Sequence, residues 1–576
     1  MAKEYYKLKQ EGELKHYVFQ GVADVLPIIL STMKKKADEI IVYYDTDIDG
    51  VVAGTLARRF VEFFLHKDVI PYINRNRQHG FKMPKDESLK GKYIIGVDFG
   101  ITSKEMEEIT ANGGTVIIMD HHDCEEEVIL YDNGKKLDYK EYKHNKDKLR
   151  SLMGKLGVGI LINNQYKRVP ADLSKPRISG ENTHSHYLSG AGVVFESFLA
   201  FIKKHMPKKL PLWDTKEQRG MVGWSLLSDM RDIENVNAKK YLEDLYTYKV
   251  TDKQALTHEG VDVLRNLKQT RQLIRQNSIY EQDKFGSIKL DRITIDFHLS
   301  PLMNANFRFD NGDAVVDYMW GEMDAIDSKA HMKQKKLKKT IEQIVDEEGT
   351  GRFYGEDDDL YVFHIDKNHP LLQSFDTDVS NFIGLVCNSK RSNCNVIGYV
   401  TDGNKGLSRA SFRGNIQEQY KDKLNELGYL VGAGHESAFG ILSMDTSDTN
   451  LENIARVCHE LEEGKVHNQH PIIKVSNLAR LCEGNSLYAN DSAVSEAYRI
   501  AYENMFHMED KKICLKYTGA ESRISGEWND AKTRCRYEVD GRYIICYTYP
   551  ITPKTGLICP ILEDGIITFS LIEKVQ

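Results

Sequence analysis

The chain has 576 residues, and 78 Lys plus Arg against 85 Asp plus Glu leave it mildly acidic, at −7 with His neutral. About 100–200 residues per domain implies three or four structural units, while 41% hydrophobic and 28% charged residues, with 42 Gly and 13 Pro, exclude collagen-like and wholly disordered chains. No run approaches the ~18 apolar residues of a membrane span, MAKEYYKLKQEGELKH lacks the apolar core of a secretory signal, and the nine Cys form no CxxC pair, so a cytoplasmic protein with reduced thiols and no membrane partner is expected.

Apolar runs and amphipathic stretches then alternate in βαβ rhythm. YVFQGVADVLPIILSTMKKKA predicts a helix, EIIVYYDTDIDG a strand ending in acids, and VVAGTLARRFVEFFLHK a second helix. KYIIGVDFG and GTVIIMDHHDCEEE repeat the pattern of a β-type run followed by a polar cluster. Ligands of open parallel sheets bind where strands end, so Asp45, Asp47, Asp49, Asp98 and Asp120 are expected to converge at one sheet edge. Residues 131–156 read as a solvated insertion. LSGAGVVFESFLAFIKKH predicts a tightly packed helix, and GMVGWSLLSDMRDIENV carries an apolar run into Asp229.

Residues 252–280 have a helical pattern without strands, and 313–349 read as one long amphipathic helix. A second α/β block follows, with strands in LYVFHID, NVIGYVTD and LSRASFRG, helices in DVSNFIGLVCNSKRS and NIQEQYKDKLNELGYL, and the Gly-rich turn VGAGHESAFG. Beyond about residue 465 the chain changes to short alternating strands, which predicts a separate β-rich domain.

Alternate carboxylates in Asp45-Thr-Asp47-Ile-Asp49-Gly50 point to one side of an extended chain and repel one another unless a cation sits among them. A calcium loop or a solvated turn is the bland alternative; a β-type run before the acids and the missing bidentate Glu weaken the calcium loop, and taken alone the cluster leaves chemistry and decoration both open. Asp120-His121-His122 adds imidazoles after another apolar strand, a mixed N/O donor set suited to Mn²⁺ or Zn²⁺. Two divalent ions in such a set activate water at neutral pH and neutralise charge on a phosphoryl oxygen. Neither a Ser/His/Asp elbow nor a Walker loop is present, so metal-assisted phosphoester hydrolysis uses these groups best.

DTDIDG (45–50), GVDFG with Asp98, DHH (120–122) and LLSDMRDI with Asp229 resemble, in order, the four motifs of the DHH phosphoesterases. Ser411-Phe-Arg413 resembles the S-x-R element of the family's DHHA1 domain, and Gly432-Ala-Gly434-His435-Glu-Ser-Ala-Phe-Gly440 its Gly-rich turn. HLSPLMNANFRF (298–309), LSGAGVVF and INNQ (162–165) resemble segments of the RecJ-like single-strand exonucleases. The resemblance spans about residues 38–460.

It implies an α/β fold with a parallel-sheet DHH domain (1–250), connecting helices with the RecJ-like segment (251–350) and a smaller DHHA1 domain (351–464) joined by a long helix, to which the strand pattern adds the β-rich C-terminal domain (465–576). It also implies two Mn²⁺ ions, with Mg²⁺ as the alternative, on Asp47, Asp49, Asp98, His121, His122 and Asp229, with Asp45 at the edge. Asp120, His121, His122 and His435 would be catalytic; Arg308, Arg413, Asn304, Ser411 and Gly434 would hold substrate. The implied activity is 5′-to-3′ hydrolysis of single-stranded DNA to mononucleotides in recombination, repair or replication, with a single-strand-binding protein or helicase as a further partner. The alternatives are a phosphodiesterase for short oligonucleotides or cyclic dinucleotides, and an inactive DNA-binding scaffold. Tyr43 stands where many members carry His, and Leu302 and Phe307 replace the Arg and Gly of the RecJ pattern. Lys333, Lys335, Lys336, Lys338 and Lys339 read as a solvated helix face, with a track for a DNA backbone as the alternative, and His184 and His186 as loop polarity.

Overall fold

The computed structural model describes residues 22–246 except 23, 75–79, 85, 123, 125, 165–166, 169–177, 180–187 and 230–235. It also describes 299–463 except 323–324, 376, 391–393, 404–406, 415–418 and 435–436, together with Leu267, Thr270, Ile295, Asn504 and the tail strands named below. The chain divides into two compact units, one comprising Met1–Asn304, Gly312–Ile326 and His470–Gln576, the other Ala305–Asn311 and Asp327–Gln469.

The first unit is built on strands β1 (Glu39–Tyr44), β2 (Asp68–Ile73), β3 (Tyr93–Val97), β4 (Thr115–Asp120), β5 (Val128–Asp132), β6 (Lys135–Leu137) and β7 (Val158–Asn163), in the order β2-β1-β3-β4-β7-β5-β6. β2, β1, β3, β4 and β7 are mutually parallel, with β5 and β6 added antiparallel. β3, β4 and β7 are buried along their whole length, and β1 from its second residue. That explains why they read as unbroken apolar runs rather than alternating ones. In register, Tyr44 lies beside Val97 and Val97 beside Met119, so the strand-end acids emerge at one edge.

Helices α1 (Leu26–Lys36), α2 (Ile48–Phe60), α3 (Ser103–Ala111), α4 (Lys146–Met153), α5 (Gly190–His205) and α6 (Lys216–Ser228) belong to the same unit. Phe60 of α2 stacks on Phe198 of α5 with ring centroids 3.8 Å apart, and both meet Trp213 edge-on. Residues 131–156 are not a solvated insertion throughout. β5 is buried against β7, and Leu149, Leu152 and Met153 of α4 face inward; the Lys and Asp of this stretch take the outward positions and the turns.

The helix predicted over 313–349 is two helices, Gly312–Trp320 and Ala330–Glu348, because the first stops at Gly321, whose φ of 117° is left-handed. On the second of these helices Lys333, Lys335, Lys336 and Lys339 are exposed, and Lys333 and Lys338 pair with Asp327 and Glu342, in keeping with a solvated face.

The second unit carries β8 (Arg352–Tyr354), β9 (Leu360–Asp366), β10 (Asn395–Thr401), β11 (Leu407–Arg413), β12 (Leu430–Gly434) and β13 (Ala438–Met444), in the order β8-β9-β10-β11-β13-β12. One sheet face packs Phe412, Ile397 and Ile441 on Tyr420 and Ile454; the other packs Phe363, Val396 and Val400 on Leu337, Phe382 and Val386. The tail strands Ile472–Val475, Cys514–Tyr517, Ile524–Trp528, Arg534–Val539, Arg542–Tyr547, Gly556–Glu563 and Ile566–Glu573 form one seven-stranded, mostly antiparallel sheet.

Candidate metal centre

Each acid of the first unit's site is placed by the end of an element. Asp45 follows β1 and is buried; Asp47 caps α2, its Oδ1 accepting from Gly50 N at 2.9 Å. Gly50 is required by closeness as well as by the turn, since a Cβ there would lie 2.6 Å from Asp45 Cβ. Asp49, in the first turn of α2, reaches the N-terminus of α5. Its Oδ2 accepts from Gly190 N at 2.7 Å, and its Oδ1 from Ala191 N at 2.9 Å and from Ser225 Oγ. The helix-end amides favour that negative charge.

Asp98 follows β3 in the left-handed region, with φ of 58°, a conformation non-glycine residues adopt at a cost. The start of α5 packs so closely on it that a Cβ at position 190 would stand 2.5 Å from Asp98 Cβ and Oδ1; only Gly fits.

His121 lies in the middle of these carboxylates. Its Nε2 is 2.8 Å from Asp98 Oδ1 and 3.7 Å from Asp49 Oδ2, and its Nδ1 is 3.5 Å from Asp229 Oδ2. Asp98 Oδ1 is nonetheless buried without a hydrogen bond, so that atom and the imidazole nitrogen aim past one another. Two donors side by side in that way fit a cation between them.

Asp120 Oδ1 accepts from His121 N and bonds His122 Nδ1, each at 2.8 Å, which leaves His122 Nε2 on the half-exposed side of the ring. Among the described residues three groups place their donor atoms within 4.8 Å of one another: Asp98, His121 and His122; Asp49, His121 and Asp229; Asp45, Asp47 and Asp98. They overlap at Asp98 and His121.

The electrostatics carry the same message. Burial, then the Asp229 and Asp47 carboxylates, push Asp49 up to about 7. Burial, then Asp49, Asp47, Asp45 and Asp229, hold Asp98 well above the carboxylate range. Burial works against charge on Asp120, yet the neighbouring imidazole holds it below its ordinary value, and the Asp120 carboxylate in turn holds the half-exposed His122 up. Without a cation the centre keeps protons in its place.

Tyr43 takes no part: its hydroxyl bonds Asn74, Gly80 O at 3.2 Å and Lys82 N at 2.8 Å, and its ring packs on Tyr72, Phe81 and Phe99. Asp45 instead joins the cluster.

All seven residues expected to hold metal are therefore gathered in one place, although they are spread over 185 positions of sequence (45 to 229). In the second unit Ser411 and Arg413 meet, with Arg413 Nη1 donating to Ser411 Oγ at 2.7 Å. Arg308 donates to Gln334 Oε1 at 3.0 Å. Asn304 is half-buried on the helix Ser300–Arg308, and Gly434 ends β12 paired with Phe439. His435, His184 and His186 lie outside the described residues.

Sequence reasoning missed the groups that hold the donors. Ser225 sits one helical turn before Asp229, a spacing that puts both on one face of α6, and its hydroxyl meets Asp49 and Ser189. Asn163 ends β7 and donates to His122 O at 2.8 Å.

Residues 39–212 match the DHH family, N-terminal domain. The whole chain superposes on RecJ from Thermus thermophilus solved with Mn²⁺, with a TM-score of 0.58 at 15% identity over 76% of that chain. The RecJ structure with Mg²⁺ from the same organism gives 0.53 at 14% identity over 74%. No curated protein matches. The chain thus has the RecJ-like DHH phosphoesterase fold, a mixed α/β architecture with a mainly parallel first sheet.

Proposed function

We propose that this chain, with its DHH-family domain and RecJ-like fold, is a metal-dependent phosphodiesterase that removes mononucleotides from the 5′ end of single-stranded DNA. The observation that carries it is the convergence of two imidazoles and five carboxylates into overlapping donor groups around His121. Asp45, Asp47, Asp49, Asp98, His121, His122 and Asp229 would hold two ions. Oxygen donors dominate and no thiolate joins them, which favours Mn²⁺ or Mg²⁺; the Thermus structures carry those same ions. When bound, such a pair activates water and neutralises phosphoryl charge.

The chain's own residues do the rest. Asp120 fixes the His122 ring by its Nδ1, the carboxylate–imidazole arrangement that orients metal-binding histidines. Asp49 is seated on the α5 amides so that it does not swing with substrate. Arg413, braced by Ser411, offers a planar fork to a phosphate. Arg308, Asn304, Gly434 and His435 are assigned to the phosphates by resemblance alone. A role in recombination, repair or replication, beside a single-strand-binding protein or helicase, follows from the same assignment. A cytoplasmic setting belongs to the same proposal; Cys387 and Cys458 are buried and form no disulfide, and no described helix is long and apolar enough to cross a membrane.

The test is digestion, with Mn²⁺, of strands labelled at either end, beside duplex, RNA and a dinucleotide. Mononucleotides from the 5′ end of long single-stranded DNA are expected, and His122→Ala abolishes them while strand binding survives. Turnover of the dinucleotide alone would move the activity to small substrates, and binding without any turnover would make the chain a scaffold.

A further inference from the structure

Strand β11 carries a second arginine for which the DNA-cleavage proposal has no use. Ala410 and Phe412 are buried on one face of this strand, so Arg409, Ser411 and Arg413 alternate on the other. Val379–Phe382 and the helix Ile383–Lys390 supply the neighbours on that side. A Cβ at Gly384 would stand 2.5 Å from Arg413 Nη2 and 3.1 Å from Ser411 Oγ, so the Arg413 guanidinium lies against bare backbone. Three residues earlier Asn381, 9% exposed, accepts from Arg409 Nη1 at 2.7 Å. Both arginines are therefore braced along one line.

Arg409 is exposed, and no described carboxylate lies within ion-pair distance of it. Here a buried neutral amide takes one of the five guanidinium N–H groups and leaves the positive charge uncompensated. Arg409 and Arg413 are four strand residues apart, roughly 13–14 Å at about 3.4 Å per residue, comparable with two steps between successive phosphates of an extended nucleic-acid strand.

We infer that Arg409, positioned by Asn381, binds a second backbone phosphate, two steps along the strand from the one assigned to Arg413. The inference rests on the nucleic-acid reading of the chain and adds to it a footprint longer than one nucleotide.

Fluorescence anisotropy with labelled single-stranded oligodeoxynucleotides of two to twelve nucleotides, in EDTA so that nothing is cut, and over a range of salt, decides it. For Arg409→Ala the longer strands should bind about tenfold more weakly, as for a lost charge-assisted contact. The slope of log affinity against log salt should shrink by about 0.7. Asn381→Ala should weaken binding in the same direction but keep the wild-type salt slope, since the charge remains. Thermal midpoints equal to wild type exclude misfolding. If wild type binds long strands and Arg409→Ala matches it in affinity and slope, the inference is overturned while the proposed function stands. If wild type binds no strand of any length, both fall.

Discussion

Asp49 is held from three sides. Its carboxylate is claimed by two backbone amides and the Ser225 hydroxyl, and it is pushed up to about 7 from an ordinary 3.8 by burial, Asp229 and Asp47. A carboxylate whose folded pKa is raised contributes stability at low pH that is lost as the pH rises through the folded value. Metal-free protein should therefore melt at falling temperature between about pH 5 and 8, and calorimetry in EDTA would detect this. Mn²⁺ must displace those protons, so its affinity should climb over the same range; an affinity flat in pH would mean the carboxylates are already ionised. Ser225→Ala withdraws the hydroxyl, and removing such an outer partner typically weakens metal binding by about tenfold or more. Electron spin resonance of free Mn²⁺ would report the loss. An unchanged affinity would show that the α5 amides seat Asp49 by themselves.

Helices α2 and α6 bring Asp49 and Asp229 to the same place, and a buried ion pair ties them. Arg59 Nη1 meets Glu217 Oε2 at 2.9 Å and Nη2 meets Oε1 at 3.3 Å, both side chains being out of water. Cutting one side leaves a buried charge alone, so Glu217→Ala should cost about 3–5 kcal/mol, whereas the double change Arg59→Met with Glu217→Leu should recover most of it. Urea unfolding of the three proteins measures both. Neither residue is marked by the sequence, because a pairing across 158 positions leaves no local pattern.

What is local was legible. The β1, β3 and β4 runs end in acids, and parallel pairing brings those ends together. The DHH tripeptide named the imidazoles. What depends on distant packing was not. The inward face of β5 was hidden among Lys and Asp, and the break at Gly321 was hidden inside a helical period. Ser225 became meaningful only once Asp49 lay against it.

For the molecule as a whole, burying this cluster of carboxylates is costly unless protons or a cation neutralise them. Asp45, Asp49, Asp98 and Asp120 are all nearly dry, and Asp98 is held in a left-handed backbone besides. A fold that keeps such a cluster is less stable empty than filled, and any ion binding only the folded state stabilises it by mass action. At a hundred times its dissociation constant this gives about 2.7 kcal/mol, equivalent to a rise in melting temperature of roughly 5–10 °C for a domain of ordinary size. Mn²⁺ added to EDTA-stripped protein should produce that rise, and Mg²⁺ a smaller one at equal concentration, since its hydration shell is given up reluctantly. Asp98→Asn is the discriminating variant. Asn tolerates the left-handed backbone and keeps the shape, so the metal-free protein should melt no lower than wild type, and higher above neutral pH where one buried charge has gone. Its Mn²⁺-dependent rise should largely vanish, because the carboxylate shared by two of the donor groups no longer carries charge. A rise equal to that of wild type would place the ion elsewhere and take the centre at His121 with it.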